Sequence, residues 1–402
     1  MNNQLNEIEI LQDSGISFEE MATLKTYMPF AEIVCDFLDL LSKKLLKNQD
    51  YKQYPDVITF AFFCRKSSIS GFKNRYKENI SNRLGRGLSF HITPSNVPIN
   101  FAYSLISGLL SGSPCIVRTS SKHFVQTELI CREMMAILNN DDNFAELKKY
   151  ISIIKYTRDR DINDHLSSLC TIRIIWGGDA TINELRESPL PPKSYDLLFA
   201  DRFSFCIIHA ENYLKNHNRI KVANDFYNDT YLFDQNACTA PHFVYWVGGK
   251  TVVQEAQEQF WSALYEVVKQ KYTMPDIFAM DKLVTAYSAS IAFEDAAIQG
   301  SNDNLIRRIH LNRLHPEITR YRCSGGLFYE YVAQSYYDMC SIIDNTYQTL
   351  SVVGYDTDEI VNFLLKNRIR GVDRVVPVGR TLDFDLTWDG YDLILMLSRV
   401  IS

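Results

Sequence analysis

Arg83-Leu-Gly-Arg-Gly-Leu-Ser-Phe-His-Ile92 is the stretch that decides the fold, because it is typical of a β-strand that follows a glycine-rich turn. A turn with two prolines comes next. Residues 100–110 then form an apolar run that Ser111-Gly-Ser-Pro114 ends, as expected of a helix. Cys115-Ile-Val-Arg118 has the pattern of a short buried strand. The order strand, helix, strand predicts a βαβ unit of a parallel sheet.

The same alternation continues along the chain. Thr119-Ser-Ser121 can cap a helix that begins near Lys122 and carries apolar residues on one face. A second unit is predicted from a strand at 171–176, a turn at 177–181 and a helix from Ile182. Further strands are predicted at 203–208 and 242–247, and further helices at 220–233 and 253–269. The sequence therefore predicts an α/β protein.

Length and composition set the class of protein. With 402 residues the chain exceeds one ordinary core, so two or three domains are expected. Apolar residues make up 46% and charged residues 22%, which is typical of a globular protein. The net charge of −6, without a long basic run, argues against nucleic acid as the main partner. No apolar run approaches the ~18 residues of a membrane span, and no leader peptide is expected.

The cysteines indicate a compartment and exclude a kind of site. There are nine of them, an odd number, and no pair has CxxC spacing. We therefore expect free thiols in a reducing cytoplasm. No cysteine and histidine cluster has the spacing of a zinc site, so no metal is predicted.

Cys238 stands out among these thiols as a candidate nucleophile. Cysteines 115, 131 and 206 lie in apolar patterns that predict core positions, but Cys238 lies in the polar loop Asp234-Gln-Asn-Ala-Cys-Thr-Ala-Pro241. A thiolate attacks carbonyl carbon readily and also leaves readily, which suits thioester exchange. The alternative is that Cys238 is one more small core residue.

Two further features follow predicted strands. In Thr93-Pro-Ser-Asn96-Val-Pro98 a proline-stiffened turn can hold the Asn96 amide as a donor to an oxyanion; the alternative is a simple turn. Arg118, followed by hydroxyl side chains, can hold a ribose 2′-phosphate; the alternative is a solvated arginine at a strand end.

Gly177-Gly-Asp-Ala-Thr181 lies between a predicted strand and a predicted helix. Glycines allow close approach of a phosphate to the backbone, and a helix N-terminus favours an anion. The stretch lacks GxGxxG spacing, so a turn with an aspartate or threonine cap is the alternative.

The order of these features resembles the aldehyde dehydrogenase superfamily. Pro94-Ser-Asn96-Val-Pro98 is similar to its Pro-x-Asn-x-Pro turn, and Gly112–Ser120 to its Gly-Asn-x-x-x-x-Lys-Pro-Ser strand, with Arg118 in the lysine position. Trp176–Asp179 is similar to its Thr-Gly-Ser turn, and Gln235-Asn-Ala-Cys238 to its Gly-Gln-x-Cys loop. Residues 370–383 and 388–392 resemble the acyl-CoA reductase (LuxC-type) branch in particular.

The resemblance implies a fold and a division of the chain. We expect an aldehyde-dehydrogenase-like α/β fold with a Rossmann-type cofactor lobe, an α/β catalytic lobe and a small oligomerisation element. The cofactor lobe would comprise residues 1–205, and residues 375–402 would return to it or to the oligomerisation element. The catalytic lobe would comprise residues 206–374. A homo-oligomer is also implied.

The resemblance also implies a reaction. Cys238 and Asn96 would be catalytic in reducing a long-chain acyl thioester, as acyl-CoA or as a protein-bound acyl group, to the aldehyde. NADPH would be the cofactor, with NADH as the alternative, and an acyl-protein synthetase would be a partner. The residues implied in cofactor binding are Thr93, Pro94, Ser95, Arg118, Ser120, Ser121, Gly177, Gly178, Asp179 and Thr181.

One departure from the superfamily favours reduction. Aldehyde-oxidising members carry a glutamate before a Gly-Gly pair as the base that activates water, and the matching stretch Leu198–Phe203 contains no glutamate, only Asp201. Two rival functions remain open at this point. One is a cysteine acyltransferase or acyl carrier without redox chemistry, and the other is a non-catalytic scaffold with this fold.

Overall fold

The computed structural model describes residues 7–216 and 218–402, and the chain forms two compact units. The first unit is the chain up to Ala200 together with Phe384–Ser402, and the second is Asp201–Asp383. No helix within the described ranges is both long and apolar enough to cross a membrane.

The first unit is built on a six-stranded sheet in the order β1-β5-β4-β3-β6-β7. Strands β3 to β7 pair in parallel, and β1 pairs antiparallel with β5. The strands are β1 (Glu9–Gln12), β2 (Arg83–Gly85), β3 (Ser89–Ile92), β4 (Cys115–Arg118), β5 (Ile151–Lys155), β6 (Ile172–Trp176) and β7 (Tyr195–Phe199). The helices are α1 (Phe18–Thr23), α2 (Glu32–Lys47), α3 (Pro55–Phe63), α4 (Lys66–Tyr76), α5 (Asn100–Leu110), α6 (Val125–Leu138), α7 (Ala145–Lys148), α8 (Arg160–Leu169) and α9 (Asp179–Arg186).

The predicted βαβ unit is present, and its apolar runs form buried elements. All four residues of β3 are buried, as is every residue of α5 after Asn100. Two helix starts differ from the prediction. The helix expected near Lys122 begins at Val125, since the Ser120 hydroxyl accepts the Lys122 N–H in a local turn (3.0 Å). The helix expected from Ile182 begins at Asp179, with Gly178 as its N-cap.

The second unit contains a seven-stranded sheet in the order β10-β11-β12-β9-β8-β13-β14. All neighbours pair in parallel except β10 with β11. The strands are β8 (Phe203–His209), β9 (Pro241–Val247), β10 (Ala297–Gly300), β11 (Arg307–Leu311), β12 (Leu327–Ala333), β13 (Tyr347–Val353) and β14 (Arg374–Pro377). The helices are α10 (Ala210–Asn216), α11 (Arg219–Thr230), α12 (Lys250–Lys271), α13 (Asp276–Ala292) and α14 (Thr357–Lys366).

The remaining C-terminal segment packs within the first unit. The ring of Phe384 stacks on that of Tyr103 with centroids 4.5 Å apart, and Asp385 forms an ion pair with Arg75. The last strand pairs antiparallel with β2. The elements of this segment are β15 (Thr387–Trp388), β16 (Tyr391–Asp392), α15 (Leu393–Leu397) and β17 (Ser398–Val400).

The two compact units meet at Ala200/Asp201 and Asp383/Phe384, whereas the predicted lobes meet at 205/206 and 374/375. Residues 201–205 belong to the second unit because β8 begins at Phe203 and pairs with β9 and β13. Residues 375–383 belong there because β14 pairs with β13 and the buried Asp229 carboxylate accepts the backbone N–H groups of Gly379 (2.6 Å) and Thr381 (3.0 Å).

Two buried histidines predict acid sensitivity. Burial lowers the pKa of His91 to about 3, and burial likewise lowers that of His242 to about 3. For each histidine the unfolded state therefore binds a proton below pH ~6.5 that the folded state does not, so this contribution to stability falls as pH falls from there towards 3. In the second unit the buried Asp229 acts in the opposite direction, because burial raises the pKa of that carboxyl to about 7 and the folded state binds its proton first. We expect the free energy of unfolding to drop by up to about 1.4 kcal/mol per pH unit for each histidine.

Urea unfolding across this pH range measures the effect. The variant His242→Gln is expected to make the second unit less sensitive to acid than the wild type, because it removes the histidine and leaves Asp229. An equal pH dependence of wild type and variant between pH ~6.5 and ~4 would contradict the prediction.

Candidate active site

Cys238 lies in the second unit, on the loop between the 3₁₀ turn Tyr231–Phe233 and the start of β9. Its neighbours Ala237 and Thr239 are buried, whereas Cys238 itself is partly exposed. The loop thus presents one thiol from a packed backbone. A reactive group on a fixed loop of an α/β scaffold is the usual arrangement in enzymes.

Gln235 holds this loop in place, and sequence reasoning missed it. Its backbone is left-handed, with φ of 61°, and its side chain is buried. Its amide nitrogen donates to the carbonyls of Pro241 (2.9 Å) and Leu327 (3.0 Å). Its amide oxygen accepts the N–H groups of Gly326 (2.9 Å) and Leu327 (3.2 Å). One side chain therefore ties the cysteine loop to the first residues of β9 and β12.

Replacing Gln235 with leucine is expected to destabilise the second unit by about 3–5 kcal/mol, since four buried backbone groups would lose their partner. Urea unfolding measures the change. Gln254→Leu, at an exposed glutamine of α12, is the matched control and should shift stability by less than about 0.5 kcal/mol. Equal stability of the two variants would show that Gln235 does not anchor the loop.

Two further hydrogen bonds fix the same loop, and a third ties one of its partners to β13. Ser204, at the start of β8, donates its hydroxyl to the carbonyl of Cys238 (2.7 Å) and accepts the N–H of Thr349 (3.1 Å). Asn236, predicted in the position of the superfamily glutamine, accepts the Ser324 hydroxyl through Oδ1 (2.5 Å). The cysteine backbone is therefore held from β8 as well as from the segment before β12.

That segment needs its two glycines. Gly325 and Gly326 have φ of 73° and 96°, and a Cβ on Gly326 would lie 2.4 Å from the carbonyl oxygen of Leu305. The buried ammonium of Lys282 donates to the Gly325 carbonyl (2.6 Å), and burial lowers the pKa of Lys282 to about 8. The pair Gly325-Gly326 was the sequence signal that could have predicted that this segment supports the cysteine loop.

The other eight cysteines are poor candidates for a nucleophile. Burial raises the pKa of each of their thiols, which disfavours the reactive thiolate. The rise is to about 12 for Cys115, Cys131, Cys170 and Cys206 and to about 11 for Cys323, and the pKa values of Cys35, Cys64 and Cys340 are also raised. The core positions predicted for cysteines 115, 131 and 206 are confirmed.

In the first unit, three predicted cofactor segments follow three neighbouring strands. In the order β5-β4-β3-β6-β7, the chain adds β4 and β5 on one side of β3 and then β6 and β7 on the other side. Open α/β sheets bind ligands at such a point, beyond the carboxyl ends of the strands. Ile92 at the end of β3 pairs with Arg118 on one side and Ile175 on the other. The turn at 93–98, Arg118 and Gly177-Gly178 therefore lie along one edge of the sheet.

The side chains along this edge differ in their burial and in the hydrogen bonds that they make within the protein. The buried Thr93 hydroxyl donates to the Arg118 carbonyl (2.9 Å), so it serves the fold. The Arg118 guanidinium lies 4.7 Å from the Tyr156 ring and donates to the Tyr156 carbonyl (3.3 Å). Pro94 is half-buried, and Ser95, Asn96 and Ser121 are exposed.

The fold does not itself require the glycine at 178. Its φ is −70°, which any residue adopts, and a Cβ there would meet nothing within 4 Å. A Cβ on Gly177 would make only ordinary contact with Thr181. The open space at Gly178, the N-cap of α9, fits the approach of a pyrophosphate to the backbone, whereas the exposed Asp179 carboxylate beside it would repel that anion.

Asp201, which stands near the expected position of the hydrolytic base, is engaged elsewhere. Its carboxylate forms an ion pair with Arg322, whose guanidinium also donates to the Arg202 carbonyl. Both residues belong to the second unit.

Solved structures that share this architecture include aldehyde dehydrogenases. A NAD-dependent benzaldehyde dehydrogenase from Corynebacterium glutamicum is similar with a TM-score of 0.64 and 15% identity, over 95% of this chain and 86% of that one. Aldehyde dehydrogenase 21 from Physcomitrella patens gives a TM-score of 0.64 at 11% identity, over 95% of this chain and 87% of that one. The aldehyde-dehydrogenase-like fold predicted from the sequence is confirmed.

The sequence also identifies the family of the chain within this class of fold. The family model of acyl-CoA reductase (LuxC) matches residues 9–400, and the chain belongs to this family. A long-chain acyl-protein thioester reductase of Aliivibrio fischeri is 26% identical over 166 residues, 40% of this chain and 32% of that protein. One of Vibrio harveyi is 25% identical over 211 residues, 50% of this chain and 42% of that protein. The matched segments span less than half of either relative.

Proposed function

We propose that this protein reduces a long-chain acyl thioester to the fatty aldehyde through an acyl-Cys238 intermediate. The observation that carries the proposal is the half-exposed Cys238 on a loop clamped by Gln235 and Ser204. The Rossmann-type strand order of the first unit supports a nucleotide cofactor. The family supports acyl thioesters as the substrate class.

The chemistry at Cys238 has two stages. The thiolate attacks the thioester carbonyl, the Asn96 amide donates to the oxyanion, and the carbon–sulfur bond to the donor thiol breaks to leave an acyl-Cys238 thioester. When bound, a nicotinamide cofactor would supply one hydride to that carbonyl. The thiohemiacetal oxyanion would then re-form the carbonyl as its carbon–sulfur bond to Cys238 breaks, and Cys238 would leave as the thiolate. Aldehyde and free Cys238 are the products.

Reduction is favoured over hydrolysis of the acyl-cysteine. The stretch Leu198–Phe203 carries no glutamate, and its one carboxylate, Asp201, is paired with Arg322. With no glutamate in this stretch to activate water, the acyl-cysteine persists until hydride reaches it.

The finer assignments belong to the same proposal. NADPH is the proposed cofactor and NADH its alternative, with Arg118, Ser120 and Ser121 on a ribose 2′-phosphate and Gly177, Gly178, Asp179 and Thr181 at the pyrophosphate. The remaining segment, Thr93-Pro94-Ser95, would line the cofactor. The names of the relatives favour a protein-bound acyl donor beside acyl-CoA. An acyl-protein synthetase partner, homo-oligomerisation and a cytoplasmic location complete the proposal.

The test follows reduced nicotinamide absorbance with palmitoyl-CoA as donor and identifies the aldehyde by mass spectrometry. The proposal expects NADPH consumption matched by aldehyde. An acyl-enzyme that forms without NADPH consumption would favour the acyltransferase, and no acyl transfer to Cys238 from CoA or protein donors would favour the scaffold. Rates with NADPH and NADH, in wild type and Arg118→Ala, test the cofactor assignment.

A further inference from the structure

Helix α13 carries its large apolar side chains on the outside. Its inner face is formed by Lys282, Ala286 and Ala289, which are fully buried. Its outer face carries a row of exposed apolar residues, from Ile277 at 62% exposure to Ile291 at 84%. We call this row the α13 stripe; its members are Ile277, Met280, Val284, Tyr287 and Ile291, with Leu283 beside it.

The stripe has the spacing of a helix-pairing seam. Its five members are three, four, three and four residues apart, which is the heptad a/d repeat whose side chains interdigitate with those of a second helix. The row extends about 21 Å along the helix at ~1.5 Å per residue. The geometry therefore points to another helix as the covering element, rather than to a loop or a small ligand.

The area is large enough to support association. The exposed surface of the six side chains is on the order of 700 Å², more than the largest apolar patch of most monomers and close to one side of a standard interface. An exposed apolar surface of this size favours burial in an interface. The adjoining β10 is an edge strand, which leaves a second association surface next to α13 in the chain.

We propose that the α13 stripe pairs with the α13 stripe of a second copy of this chain, in antiparallel orientation. The residues flanking the stripe are Leu283, Ser288 and Ser290, which are uncharged and tolerate an identical neighbour. The acidic residues Asp276 and Asp281 lie at the N-terminal end. A parallel pair would place Asp276 beside Asp281 of the other copy, and the two like charges would repel.

The antiparallel pair avoids this repulsion and fixes a register. In antiparallel seams a positions face d positions, so Val284 faces Tyr287 of the other copy and Met280 faces Ile291. Asp281 then faces Ser288. Met280, Val284, Tyr287 and Ile291 of each copy then face one another, and Ile277 extends past the end of the other α13 at Ala292.

Light scattering with size-exclusion chromatography tests the pairing, and its readout is mass rather than activity. We expect the wild type at an even multiple of 46.4 kDa and both Val284→Asp and Tyr287→Asp at half the wild-type mass. Leu365→Asp, at an exposed leucine of α14, is the matched control and should keep the wild-type mass. A monomeric wild type, or stripe variants of wild-type mass, would overturn the proposal. Circular dichroism checks that the variants are folded.

Disulfide trapping with diamide tests the orientation. The double variant Met280→Cys/Ile291→Cys is expected to cross-link between chains, and neither single variant should do so beyond the wild-type background. Cross-linking by the single variants would mean a parallel pair, and no cross-linking by any of them would reject the stated register.

Discussion

Replacing Cys238 with alanine is expected to lower the rate of NADPH-dependent acyl-thioester reduction by at least about 10³-fold, because the acyl group loses the only site of covalent attachment in the proposed reaction. The substitution removes one sulfur atom from a loop that Gln235 and Ser204 hold independently of the thiol. The free energy of unfolding should therefore change little. The initial rate of NADPH oxidation with palmitoyl-CoA measures the first effect, and urea unfolding the second.

Cys340→Ala is the matched control for this variant. Cys340 is a free, partly exposed thiol of the same unit, and burial raises its pKa, so its loss should leave the rate close to that of the wild type. Cys238→Ser adds a second comparison, since a hydroxyl is a far weaker nucleophile than a thiolate at neutral pH. An alanine variant with full activity would refute the acyl-cysteine mechanism.

A separate measurement divides the reaction into its stages. Incubation with radiolabelled palmitoyl-CoA in the absence of NADPH should label wild type and not Cys238→Ala. Addition of NADPH should then release the label as aldehyde. Label that returns only to a thiol acceptor would instead support acyl transfer without reduction.

The sequence was most informative where structure depends on neighbouring residues. The bounds of α5 and β4 agree with prediction because an apolar run ended by Ser111-Gly-Ser-Pro114 is a local signal. The cysteine loop also lies where the order of helix and strand placed it. Short-range pattern was enough for these elements.

The sequence was least informative where distant residues decide the structure. The Gln235 amide binds Leu327, 92 residues further along the chain, so nothing near the cysteine marks it as an anchor. Asp229 likewise accepts the N–H of Gly379, 150 residues away, and so holds that segment within the second unit. Long-range hydrogen bonds leave no local periodicity to read.

Asn96→Ala is expected to lower kcat by about 10²–10³-fold, equivalent to about 2.7–4 kcal/mol of transition-state stabilisation, with a much smaller change in KM. The reason is that an oxyanion donor acts on charge that develops in the transition state and adds little to the binding of the neutral substrate. Asn96 is an exposed residue of the turn after β3, so its replacement should cost little stability.

The controls separate an oxyanion donor from a residue that merely shapes the turn. Asn96→Asp keeps the size but replaces the amide donor with a carboxylate, so it should lose at least as much kcat as Asn96→Ala. Asn139→Ala, at an exposed asparagine that follows α6 and has no proposed role, should retain the wild-type kcat. If Asn96 only shaped the turn, Asn96→Ala would lower stability and raise KM for the cofactor while leaving the rate of acylation by palmitoyl-CoA without NADPH unchanged. A slowed acylation step with unchanged unfolding would instead assign the amide to the carbonyl oxygen, because acylation precedes any use of the cofactor.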